Sequence, residues 1–114
     1  MSKFVRLFAL LALGLAVIGG AADAHAVLKT HEIAGEDVLL HFNGRVDATR
    51  SRLSLVKEDG TTLKQVDCSL GEDPATLKGH LGTLAPGSYV LRWEVLSVDG
   101  HISRADQPLT IPAP

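Results

Sequence analysis

Five histidines and one cysteine hold most of the chemistry open to this 114-residue chain. His25 comes first among them. It follows Ala22-Asp23-Ala24, small residues of the kind that flank a signal-peptidase cut, and cleavage after Ala24 would make it the N-terminal residue. An N-terminal histidine offers two nitrogen donors, the free α-amine and the ring Nδ1, which can chelate one metal ion. Donors of this kind suit copper(II), which prefers tetragonal N,O coordination and heads the divalent affinity order. The alternative is that a signal cut merely happens to expose a histidine.

The second group is Ser97-Val98-Asp99-Gly100-His101. Asp99 and His101 are two residues apart. In extended backbone their side chains would project to one side, with Cα atoms about 7 Å apart, and could converge on one metal at the rim of a sheet. Gly100 interrupts that parity, and Asp-Gly is a common turn in stretches that bind nothing. Taken alone, the motif leaves both readings open.

The other candidates have weaker signals. His31 is either a substitute ligand near the N-terminus or an exposed loop residue. His41, inside an apolar run, could orient a ligand or simply bond to backbone. His80 reads as a surface residue. Cys68 is expected to be a half-buried inert thiol, with copper binding or an intermolecular bridge as alternatives. Tyr89 and Trp93 read as core.

These residues need a scaffold, and the first 24 residues do not supply it. Lys3 and Arg6 precede an apolar run over 7–18, too short at about a dozen residues to span a bilayer, which needs roughly 20. Residues 1–24 are therefore expected to be a cleaved signal peptide and 25–114 a single small domain. Without Lys3, Arg6 and Asp23, nine basic residues face twelve acidic ones, which argues against nucleic acid as a partner. No second apolar stretch approaches membrane length, so the mature form should not be membrane-embedded. With one cysteine, no internal disulfide can staple so small a domain, so its core must hold it alone.

Short apolar segments alternate with turn signals in the manner of an all-β domain. Strands are expected over 38–42, 53–56, 61–66 (paired back on its predecessor as a hairpin), 89–96 and 109–111, with a weaker pattern over 77–84. Asn43-Gly44, Glu58-Asp59-Gly60 and Pro86-Gly87 supply the turns between them. In the clearest strand Tyr89, Leu91, Trp93 and Val95 share one face, and Arg92 and Glu94 lie on the other. The expected architecture is a β-sandwich or Greek-key barrel.

Four segments together resemble the CopC family of periplasmic copper-resistance proteins. They are Ala24-His25-Ala26-Val27-Leu28, Leu40-His41-Phe42-Asn43-Gly44-Arg45-Val46, Leu84-Ala85-Pro86-Gly87-Ser88-Tyr89, and the run from Trp93 through Ser97-Val98-Asp99-Gly100-His101. The resemblance implies a small immunoglobulin- or cupredoxin-like Greek-key β-barrel. It also implies copper(II) bound by the amine and imidazole of His25 together with Asp99 and His101. Some members place a Glu near the copper where Gly44 stands here. The segment from His25 to Val38 is short and lacks the family's Ser-x-Pro-Ala signature, and Arg104 replaces a residue that is often small. A methionine-rich copper(I) site is not expected, because Met1 is the only methionine.

The expected function is that of a monomeric periplasmic copper(II) carrier or buffer, not an enzyme, with an inner-membrane copper transport protein as a possible partner. Two alternatives belong to other classes. A metal-free Ig-like interaction module would leave the His25 cut site and the Asp99/His101 spacing as coincidences. A copper-dependent oxidative enzyme would also use an N-terminal His chelate and a second His, but Asp99 would fill a position that oxygen needs.

Overall fold

The computed structural model describes residues 26–114, so His25 and the expected signal peptide lie outside the described residues. Seven strands follow in order: β1 Leu28–Ala34, β2 Asp37–Phe42, β3 Val46–Lys57, β4 Thr62–Leu70, β5 Thr76–His80, β6 Gly87–Ser97 and β7 Ile102–Ile111. All neighbours pair antiparallel in the order β1-β2-β5-β4-β3-β6-β7, which curls into a nearly closed barrel. β3, β4 and β5 are consecutive neighbours, and β6 returns to lie beside β3. That is a Greek key.

Alternation places the core. Val38, Leu40 and Phe42 of β2 point inward, as do Leu53 and Leu55 of β3 and Leu91, Trp93 and Val95 of β6. Phe42 and Trp93 meet edge to face with ring centroids 5.2 Å apart. On the outer face Glu94 instead pairs with Arg104 across the β6–β7 ladder, Nε to Oε1 2.9 Å. This gives Arg104 a role on the sheet surface. The Tyr89 hydroxyl donates to the Ala85 carbonyl at 2.7 Å and pins the strand to the turn before it.

Several boundaries differ from the sequence expectation. β1 has four consecutive exposed residues and no apolar alternation to announce it; it is a strand because β2 offers it an open edge. β7 begins at Ile102, well before 109, because its first half is an exposed edge that carries charges. The 77–84 pattern yields only the short β5. Asn43-Gly44 joins no hairpin: β2 pairs with β1 and β5, while β3 pairs with β4 and β6, so residues 43–45 are a crossover.

The starts of β1, β3 and β7 and the ends of β2 and β6 all fall at one end of the barrel, as the registers Leu28↔Phe42, Val46↔Ser97 and Leu96↔Ile102 require. The β3–β4 turn lies at the other end, where Lys57 is opposite Tyr89.

Candidate metal centre

The stretch from Ser97 to His101 forms the β6–β7 hairpin turn. Gly100 N–H donates to the Ser97 carbonyl and Ser97 N–H to the His101 carbonyl, both at 2.9 Å. This is a type I turn closed by a bulge whose glycine takes φ +96°, a region that L side chains avoid. The strand-parity argument for Asp99 and His101 therefore fails at Gly100. The two side chains meet all the same, because the turn folds them together: His101 Nδ1 lies 3.1 Å from Asp99 Oδ1.

Asp99 Oδ1 gathers three donors: the Ser97 hydroxyl, the His101 ring and the His101 N–H at 3.2 Å. These bonds, the Ser97 hydroxyl foremost, hold the Asp99 carboxyl down to about 2. Asp99 thus stays an ionised oxygen donor through any physiological pH. A neutral imidazole that donates from Nδ1 carries its lone pair on Nε2, so the carboxylate also sets which ring nitrogen can act as ligand. The side chains of His101 and Asp99 are 52% and 48% exposed, which leaves both within reach of a dissolved ion. One oxygen and one imidazole donor fit copper(II), and complete no site by themselves.

The crossover after β2 ties this turn to the N-terminal segment. Val98 N–H donates to the Arg45 carbonyl at 3.3 Å. Two residues earlier, Asn43 N–H donates to the Val27 carbonyl, and Asn43 Oδ1 accepts from Val27 N–H, each at 2.9 Å. The crossover is braced from beneath, since Phe42 N–H donates to the Ala75 carbonyl at 2.9 Å and Val46 N–H to the Pro74 carbonyl at 3.0 Å. Ala26, next to His25 in the chain, is buried in the core.

The other candidates lie elsewhere. Among the described residues no group of three or more His, Cys, Asp or Glu side chains could hold a metal ion. His41 points outward and bonds side chains, with Nδ1 2.9 Å from Thr76 Oγ1 and Nε2 3.0 Å from Glu32 Oε1. His31 is exposed on β1, opposite Leu40. His80 lies 2.9 Å from Asp37 Oδ1 at the surface. Cys68 is half-buried with its thiol directed at the Ser51 and Ala48 carbonyls, and burial, helped by Asp67, pushes that thiol up. It is held as the protonated, unreactive form. Two contributors escaped sequence reasoning. Ser97 had a visible signal, a hydroxyl two residues before the acid; Asn43 looked only like a turn former.

The family model for the CopC domain matches residues 22–111. No curated protein sequence matches the chain. Among solved structures, CopC from Methylosinus trichosporium OB3b is 28% identical with a TM-score of 0.67, the match covering 77% of this chain and 94% of that one. The methionine-rich copper resistance protein PcoC from Escherichia coli shares the fold at 20% identity and a TM-score of 0.63, over 75% of this chain and 97% of that one. The family match takes in all seven strands and the Asp99–His101 turn, and on that ground the chain belongs to the CopC family.

Proposed function

We propose that this protein binds copper(II) in the periplasm as a monomeric carrier or buffer, with the α-amine and imidazole of His25, Asp99 and His101 as ligands. The observation that carries the reading is the Asp99–His101 pair, held 3.1 Å apart on a turn whose neighbouring crossover also grips Val27, two residues after His25. Family membership and the copper-resistance role named for PcoC support copper as the cargo. The donor chemistry supports the oxidation state. Nitrogen and carboxylate oxygen favour copper(II), and the thioethers that select copper(I) are missing from a chain whose only methionine is Met1.

A binding role fits this site better than catalysis. Asp99 brings a hard anionic oxygen to the ion, which favours copper(II) and occupies a position that oxygen activation would need. Residues 1–24 acting as a cleaved export signal would both deliver the chain to the periplasm and create the free amine at His25. Delivery of copper to an inner-membrane transport protein completes the proposal.

The test is copper(II) titration of residues 25–114, followed by electron paramagnetic resonance, on the wild type, His25→Ala and His101→Ala. One tight equivalent with nitrogen hyperfine structure, lost in both variants, is expected. Retention of a residue before His25 should weaken binding as much as His25→Ala does, because it removes the free amine. Binding indifferent to all three changes would refute the site.

A further inference from the structure

We infer that Asn43 is a positioning residue that ties the N-terminal segment, at Val27, to the crossover bonded to the Asp99–His101 turn, and so favours delivery of its ligands to copper. The inference rests on the copper reading above and adds a residue that this reading does not use.

The β1–β2 ladder has its last Cα pair at Leu28 and Phe42. A further pair would need the main-chain carbonyl of residue 43 to accept from Val27 N–H. The chain leaves the strand at Asn43 to cross to the other side of the barrel, and the acceptor for Val27 N–H is the Asn43 side chain, Oδ1, at 2.9 Å. Asn43 N–H returns the bond to the Val27 carbonyl, also at 2.9 Å. The short amide thus extends the grip one residue beyond the strands, while the backbone is released to reach Arg45, whose carbonyl receives Val98 N–H at 3.3 Å.

Residues 43–45 therefore bond both to Val27, two residues after His25 in sequence, and to Val98 of the Asp99–His101 turn. Beyond the clamp, Ala26 is sunk in the core, and it alone separates Val27 from His25 in the sequence. Anchoring Val27 so near the proposed His25 ligands would reduce the freedom lost on binding a metal, and preorganisation of this kind raises affinity without adding a contact. Alanine at 43 would keep the main-chain bond and remove the side-chain oxygen that accepts from Val27 N–H. The exposed Val27 would then be free to fray from β2.

The experiment compares wild type, Asn43→Ala, Asn43→Asp and His101→Ala, all beginning at His25. In metal-free protein, amide exchange at Val27 should speed up about three- to tenfold in Asn43→Ala, as loss of one hydrogen bond predicts, and return towards wild type in Asn43→Asp, which restores the acceptor. Copper(II) affinity should fall about 10- to 100-fold in Asn43→Ala, the usual effect of removing a group that orients a ligand. Unchanged Val27 exchange in Asn43→Ala would overturn the clamp. Faster exchange with undiminished affinity, in a protein whose binding His101→Ala abolishes, would overturn the positioning role alone. If His101→Ala leaves wild-type affinity intact, the site is misplaced and the inference falls with it.

Discussion

Two hairpin turns in this barrel are built alike and sit at opposite ends of it. Lys57-Glu58-Asp59-Gly60-Thr61 joins β3 to β4, and Ser97-Val98-Asp99-Gly100-His101 joins β6 to β7. In each, the glycine N–H donates to the carbonyl of the first residue, whose own N–H donates to the carbonyl of the last. Gly60 and Gly100 take φ of +94° and +96°. In each, the aspartate accepts from the backbone N–H of the residue after glycine, at 2.9 Å in the first turn and 3.2 Å in the second. Asp59 is lowered by bonds from the backbone and hydroxyl of Thr61; Asp99 is lowered to about 2 by Ser97 first and His101 next. The backbone is generic. What separates the turns is an imidazole for a hydroxyl at the last position, an apolar valine for a glutamate at the second, a hydroxyl for an ammonium at the first, and the neighbour each turn meets.

The exchange His101→Thr would give the second turn the last residue of the first and should have the largest effect. Copper(II) affinity is expected to drop by at least about 100-fold, since a direct nitrogen ligand is removed, while the melting temperature stays within a few degrees. The reciprocal change Thr61→His should create no tight copper site, because β1 begins at the other end of the barrel, where Leu28 is opposite Phe42. Tight binding there, measured in a protein that also carries His101→Thr, would mean that the turn alone suffices.

Ser97→Ala should come next. Loss of the hydroxyl frees Asp99 to move and lets its carboxyl rise towards the ordinary 3.8, with about a tenfold loss of copper affinity. Lys57→Ala, at the matching position, should leave copper binding untouched. The two titrations side by side measure what the hydroxyl adds.

The glycines test the shared part. Gly60→Ala and Gly100→Ala should each destabilise the fold by roughly 1–2 kcal/mol, because neither has a steric clash at Cβ and both require positive φ. Denaturant melts should show similar losses for the two, with copper affinity altered only in Gly100→Ala.

The smallest effect is in the acid limb. A lowered folded-state value means that Asp99 contributes stability in full above the unfolded value near 3.8, and that this contribution disappears as pH falls through about 2. The stability difference between wild type and Asp99→Asn should therefore be flat above pH 5 and shrink between about 4 and 2. Copper binding should fail at a higher pH than this, because the α-amine and both imidazoles must give up protons before they can bind the ion. Loss of copper only below pH 3 would point to carboxylates as the main ligands.

Much of the fold was legible in the sequence. The alternation Tyr89-Leu91-Trp93-Val95 marks β6 because an inward-facing strand must be apolar every second residue. Asp99-Gly100 marks a turn because glycine alone enters positive φ without penalty. β1 was not legible. Its polar residues take strand form only because the edge of β2 is there to pair with them.

The donor types were equally plain: an aspartate, a histidine and a candidate N-terminal histidine are properties of the chain itself. Which of two chemically similar Asp-Gly turns stands beside the N-terminal segment is not a local property. It follows from the antiparallel Greek key, which brings the start of β1 and the end of β6 to one end of the barrel, and sends the β3–β4 turn to the other. The part played by Asn43 has the same origin. Its amide serves Val27, 16 residues away in sequence, and that contact exists only once two strands have paired and the chain between them and β3 has crossed over.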